Sequence, residues 1–265
     1  RVLEKKDGAE LFVRDGKRLE LTRAGEILKR TMITMENDQR AMEKRMRESG
    51  NAVRTLTMGV TMTSGEYAVT GPLARYLNLH PDVNVCLRFS NTDRLLEAIR
   101  AGEMDLALSE GYIRSEEFDT ELFRRERYIP VCAAGHALPA GKQKLKDLLG
   151  ERLILREKGS GSRKILERNL AARNLKISDF IHYAEVENIH TMVSLLVRDC
   201  GIAFLYEAAV EQEIRQGLLK EIRLEDFSMD HEFLFLWNKG SVFSSELKKL
   251  CEEWIQLDKD ASGGR

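Results

Sequence analysis

The stretch from Leu21 to Met46 constrains everything around it. Leu21, Gly25, Leu28, Met32, Met35, Gln39, Met42 and Met46 recur at alternating spacings of four and three. That is the a/d pattern of a helix packing along its length against another helix. Thr22 can cap its start, and Ser49-Gly50-Asn51 can end it. Charged residues such as Arg23, Glu26, Lys29, Arg40 and Glu43 occupy the other faces. A seam this long needs a partner, and no neighbouring stretch is an obvious second helix. The spacing predicts the same helix of a second chain, because charge borders the seam on both sides. The alternative is an amphipathic helix lying on the core of its own domain. Methionine at four seam positions makes the surface adaptable, and Gln39 can fix register. Dimerisation is expected to rest on Leu28, Met32, Met35, Met42 and Met46.

Before this helix, Asp15-Gly16 separates Phe12-Val13 from Leu19-Leu21, a strong hairpin signal. Arg14, Lys17 and Arg18 cluster at its tip, where they suit phosphate or minor-groove contact as readily as they suit plain solvation. Residues 1–47 carry thirteen Lys/Arg and nine Asp/Glu, whereas the rest carries 29 and 34. With a formal net charge of −1 for the whole chain, only the head hints at nucleic acid.

The run Leu3-Glu4, Gly8, Leu11-Phe12-Val13-Arg14, then Leu19 through Glu26, resembles the end of the winged helix-turn-helix of LysR-type transcriptional regulators. In that family this pattern closes the recognition helix, forms the wing and enters a linker helix that dimerises. The family's opening helices are absent from this sequence, so a fragment without base readout is expected. The resemblance implies residues 1–21 as the remnant of the DNA-binding domain, with Arg14, Lys17 and Arg18 in the wing. It implies residues 22–50 as the linker and dimerisation helix.

After Asn51 the texture changes. Strand 53–61, helix 67–79, strand 83–89, helix 92–101 and strand 105–108 form a βαβαβ series, the signature of a parallel α/β sheet. A further strand over 121–133 and a second α/β series from Leu153 complete the body. Two α/β lobes of this kind make a type II periplasmic-binding-protein fold, and residues 54–257 resemble a LysR effector domain throughout. The expected fold class is therefore α/β. A two-lobed periplasmic-binding-protein-like effector domain follows a partial winged-helix wing and a long linker helix. The effector domain is expected over 51–260, with lobe I at 51–127 and 228–260 and lobe II at 128–227.

In such sheets ligands gather at strand ends and helix N-termini. Four turns qualify: Met62-Thr63-Ser64-Gly65, Ser90-Asn91-Thr92-Asp93, Ser109-Glu110-Gly111 and Lys158 through Arg163. Small hydroxyls and bare N–H groups on both lobes suit a small anion such as a carboxylate. The LysR resemblance implies effector contact at Thr63, Ser64, Asn91, Thr92, Gly161 and Ser162, and Ser109 is expected to join them from its turn. The family often has glycine where this chain has Asn91, and asparagine tolerates the left-handed conformation. Glu110, expected at the rim, works against a simple anion.

Catalytic and metal sites are not expected. No HExxH or paired HxH occurs, and Gly159-Ser160-Gly161-Ser162 lacks the last glycine of a nucleophile elbow. No cofactor is called for. The four cysteines are far apart and form no CxxC, which fits a reducing cytoplasm. No apolar run approaches the roughly 18 residues of a membrane helix, and no signal peptide is apparent. The function expected is a cytoplasmic, non-enzymatic regulator, dimeric or tetrameric, that binds promoter DNA and a small-molecule effector. A solute-binding module of the same fold without a DNA role is the alternative.

Overall fold

A computed structural model describes residues 4, 8–16, 18–48, 54–113, 116–138, 141 and 143–262. Lys17 and the Ser49–Asn51 break lie outside the described residues. Strands β1 (Phe12–Asp15) and β2 (Arg18–Leu21) pair antiparallel around Gly16, whose φ of +60° is the left-handed turn conformation glycine adopts without strain. Helix α1 (Arg23–Glu48) follows. The Thr22 hydroxyl accepts the Gly25 N–H at 3.0 Å, the N-cap that the sequence predicts. Gly25 itself packs on the hairpin, where a Cβ would sit 2.1 Å from the Leu11 carbonyl oxygen. The first turn of the seam is therefore covered by its own chain.

The rest of α1 has two faces. Thr34, Asn37, Asp38 and Arg45 bond to the chain's own body. Met32, Met35, Met42 and Met46 lie on another face and are 47–66 % exposed. At about 100° per residue the two sets centre roughly 115° apart, so they occupy different faces of the helix. Within one chain the helix docks through polar residues, not through its apolar seam.

The body is a nine-stranded sheet in the order β4-β3-β5-β11-β6-β9-β7-β8, with β10 (Leu219–Glu221) paired to β6. β3 (Arg54–Val60) pairs parallel with β4 (Val83–Phe89) and β5 (Leu106–Glu110). Between them run α2 (Thr70–Leu79) and α3 (Thr92–Arg100). In the second half β7 (Arg152–Leu155) pairs parallel with β8 (His182–Glu185) and β9 (Ile202–Tyr206). Helices α4 (Gly161–Ala171) and α5 (Ile189–Val197) are its crossovers, and α6 (Glu211–Arg215) precedes β10. Each lobe thus carries a three-stranded parallel core whose inner strands β5 and β9 are buried throughout, while the outer strands β4 and β8 are largely exposed.

Two antiparallel strands join the cores. The 16-residue β6 (Phe118–Ala133) pairs with β11 (Asp230–Asn238) through Arg127 and with β9 from Tyr128 onward. Helix α7 (Ser244–Ser262) closes the chain and buries Trp254 against Tyr76 of α2, ring centroids 5.3 Å apart. The helix expected over 67–79 is interrupted. A π turn covers Ser64–Ala68 and α2 begins at Thr70. The Ser64 hydroxyl competes for local backbone groups there, and a Cβ on Gly65 would meet Phe89 at 2.3 Å.

Candidate interlobe effector site

The lobes touch where the carboxyl end of β5 and the start of α3 meet the turn before α4. Thr92 opens α3, and its hydroxyl donates to the Glu110 carbonyl at 2.9 Å, 3.0 Å from the Ser109 hydroxyl. Ser109 donates to the same carbonyl at 3.0 Å. Gly161 of lobe II lies against this pair. A Cβ there would sit 2.3 Å from the Glu110 carbonyl oxygen and 2.7 Å from the Thr92 Oγ1. Only glycine allows that approach. The Gly159 carbonyl accepts the Asp93 N–H at 3.4 Å, and Lys164 pairs with Asp93 across the same junction.

Asn91 caps α3 by accepting the Arg94 N–H at 3.0 Å. Its φ of −81° and ψ of 164° are extended, not left-handed, because an N-cap holds β-region geometry. Thr63 is buried at the start of the π turn. Ser64 donates to the Leu108 carbonyl at 3.0 Å and lies 2.8 Å from the Thr61 Oγ1. Ser162 faces its own lobe: its hydroxyl is 3.0 Å from that of Ser160, and its carbonyl accepts from the Tyr128 hydroxyl at 3.1 Å. The structure therefore brings Thr92, Ser109 and Gly161 together, places Ser64 beside them, and leaves Ser162 behind the contact.

Beside this junction opens a cleft of about 480 Å³. Asn91 alone of the expected contact residues lies on its wall. Its other walls include Met62, Ser90, Arg94, Arg156, Glu157 and Lys158. Arg156 is 4 % exposed and forks onto Glu157 at 2.8 and 3.1 Å, a bidentate pair that compensates both buried charges.

Glu110 is not a rim residue. It is 1 % exposed, with its carboxylate accepting from the Thr61 hydroxyl. Burial drives its pKa upward, and the Thr61 bond and the Arg156 charge offset this only in part. The Tyr128 and Tyr206 hydroxyls behind it are also pushed upward by burial, and Tyr206 Oη is buried without a hydrogen-bond partner. The sequence hides this cluster, because Thr61, Glu110, Tyr128, Arg156 and Tyr206 come from five separate segments. Arg156-Glu157, directly after the apolar run Leu153–Leu155, was its one local signal.

A raised carboxyl pKa stabilises the fold below its unfolded value and loses that contribution as pH climbs through the folded value. Glu110→Gln keeps an acceptor for Thr61 and removes the titration. Its melting temperature is expected to match wild type near pH 4 and to exceed it at pH 8. Equal differences at both pH values would show that Glu110 does not titrate on unfolding.

Among the described residues no group of three or more His, Cys, Asp or Glu could hold a metal ion. No described helix is long and apolar enough to cross a membrane. Cys132 is buried in β6, where burial raises its thiol to about 11, so it is a poor thiolate.

Comparison with known proteins adds to this geometry. Residues 49–256 match the LysR substrate binding domain. The chain is 26 % identical over 220 residues to the uncharacterized HTH-type transcriptional regulator YeiE of Escherichia coli K12, covering 83 % of this chain and 73 % of that protein. It is 24 % identical over 263 residues to a probable RuBisCO transcriptional regulator of Cyanophora paradoxa, covering 96 % and 80 %. Among solved structures, the CcmR regulatory domain of Synechocystis PCC6803 in complex with 2-PG superposes with a TM-score of 0.68 at 17 % identity, over 77 % of this chain and 97 % of that one. An H2O2-bound OxyR mutant from Corynebacterium glutamicum gives 0.67 at 19 % identity, over 98 % and 82 %. At these identities the likeness establishes the two-lobed fold.

Proposed function

The chain belongs to the LysR family of transcriptional regulators, and on that premise we propose that its interlobe junction is the effector site and its methionine seam the dimer contact. The observation that carries the reading is the junction itself. Thr92, Ser109 and Gly161 meet across the lobes beside a 480 Å³ cleft whose wall Asn91 joins. A ligand seated there touches both lobes, so it has different contacts in open and closed arrangements. Differential contact is what allows a ligand to shift such an equilibrium. That the CcmR regulatory domain was solved with 2-PG supports a small-molecule ligand for this fold.

The ligand we infer is a small anion such as a carboxylate. Asn91 on the cleft wall and Thr92 beside it receive it at the start of α3, and the buried Thr63, Ser64, Ser109, Gly161 and Ser162 support that wall from behind. Lobe I is taken as 51–127 and 228–260 and lobe II as 128–227, since β6 changes partner between Arg127 and Tyr128. Arg14 and Arg18 flank the hairpin turn and are exposed, which suits phosphate contact by a wing; Lys17 is assigned to the same role from sequence. The chain acts from the cytoplasm as a dimer or tetramer, without catalysis.

Thr92→Val tests the site. The substitution keeps volume but removes one hydroxyl from a buried network, and an unmatched buried partner costs about 1–3 kcal/mol. Calorimetric titration with a panel of small carboxylates and phosphates is expected to find a ligand for wild type and roughly tenfold weaker binding for the variant. Equal affinity would remove Thr92 from the site.

A further inference from the structure

Helix α3 has one end in the candidate effector site and the other against the linker helix. Its N-terminus carries Asn91 and Thr92 at the lobe junction. Its C-terminus is held by α1. Asn37, a buried residue of α1, donates from Nδ2 to the Ile99 carbonyl at 3.2 Å and to the Arg100 carbonyl at 3.1 Å. Arg40 of α1 donates to the Ala101 carbonyl. These carbonyls close the C-terminus of α3, and the Ile99 carbonyl also accepts the Gly102 N–H at 3.1 Å and the Asn238 Nδ2 of β11 at 2.7 Å. Gly102 follows at a φ of +67°, and a Cβ there would lie 2.2 Å from the Asn37 Oδ1. The joint is therefore fitted to asparagine on one side and glycine on the other.

A second set of bonds fixes α1 to the loop before α7 and to the first turn of α7. Asp38 accepts the Ser241 hydroxyl at 2.5 Å and the Val242 N–H at 2.9 Å. Arg45 pairs with Glu246 at 2.5 Å and lies 3.8 Å from the Phe243 ring centre. Two separate sets of bonds thus tie α1 to lobe I, while Met32, Met35 and Met42 of the seam are exposed.

We propose that α3 is the rod through which the effector site acts on the linker helices, with Asn37 and Gly102 as its joint. The proposal rests on the effector reading of the Thr92 turn. A nine-residue helix spans about 13 Å. Leu95, Leu96 and Ile99 bury its inner face against Met104, Ala107, Phe118 and Leu236, so it shifts as a body rather than bending. A change of lobe closure at Asn91 and Thr92 reaches the Ile99–Ala101 carbonyls as a displacement, and Asn37 and Arg40 pass it to α1. Because linkage is reciprocal, loosening the joint must loosen the site.

Amide hydrogen exchange on wild type, Asn37→Ala and Arg40→Gln tests this without knowing the effector. Both variants are expected to raise exchange in residues 90–95 and 159–163 at least about fivefold, the low end of measured coupling between sites. Faster exchange confined to residues 34–45 and 99–104 would overturn the proposal, since the contact would then be a local cap. Arg40→Gln carries the test if Asn37→Ala does not fold. Sedimentation of the same samples keeps this result apart from the seam. Variants that stay dimeric with unchanged exchange at 90–95 remove the rod and leave the seam standing.

Discussion

Replacing Met35 and Met42 together by aspartate is expected to turn the assembly into folded monomers. The two methionines are 60 % and 47 % exposed in the single chain, so neither supports its own body. Their partner in the proposed dimer is the same seam of a second copy. Each variant dimer would bury four carboxylates among methionines, with no cation on the seam to pair them. Burying a polar group without a partner costs roughly 2–7 kcal/mol, and an uncompensated charge costs more. Each 1.4 kcal/mol is a tenfold change in dissociation constant. The shift should therefore exceed two orders of magnitude, read by sedimentation velocity. The thermal unfolding of the effector domain should stay near wild type. A variant that sediments like wild type would move the dimer contact elsewhere.

Gly161→Ala is expected to have the second largest effect, at the site and not at the seam. Its Cβ has no room: the Glu110 carbonyl oxygen is 2.3 Å away and that oxygen belongs to the backbone of β5. Backbone yields less readily than a side chain, so the lobes must separate or α4 must tilt. Overpacking of this kind costs about 1–3 kcal/mol. Because the strain exists only in the closed arrangement, it falls on ligand affinity more than on folding of either lobe. Calorimetry should show binding weakened about 10–100-fold, with a melting temperature only a few degrees lower. Full affinity would mean that the closed junction is not the binding arrangement.

How far the sequence reveals this molecule depends on the range of the interactions. The hairpin was legible because Asp15-Gly16 sits between apolar runs and pairing is local. The βαβαβ series was legible because apolar runs alternate with helical spacing, and the family match and neighbouring structures bear out the two-lobed α/β fold. Strand β6 was foreseen only from Glu121; its start at Phe118 is set by pairing with Asn238 of β11, 120 residues on in the chain. The π turn at Ser64–Ala68 was missed because its cause, the Ser64 bonds and the Phe89 ring over Gly65, is tertiary. Glu110 was misplaced at the rim for the same reason. A glutamate after a strand reads as exposed until Thr61 and Gly161 are seen to cover it. The turns around Thr92, Ser109 and Gly161 could be named from residue type, but their convergence on one carbonyl could not. Nor could the seam be assigned an outer face until Asn37 was seen pointing inward.

The central claim is an effector-binding dimer built on the outward seam of α1. Native mass spectrometry of the purified chain, before and after denaturation, tests it most directly. The account predicts a dimer or tetramer that releases a small extra mass on denaturation or takes one up from the carboxylate and phosphate panel. A bare monomer that takes up nothing would contradict both the seam and the site.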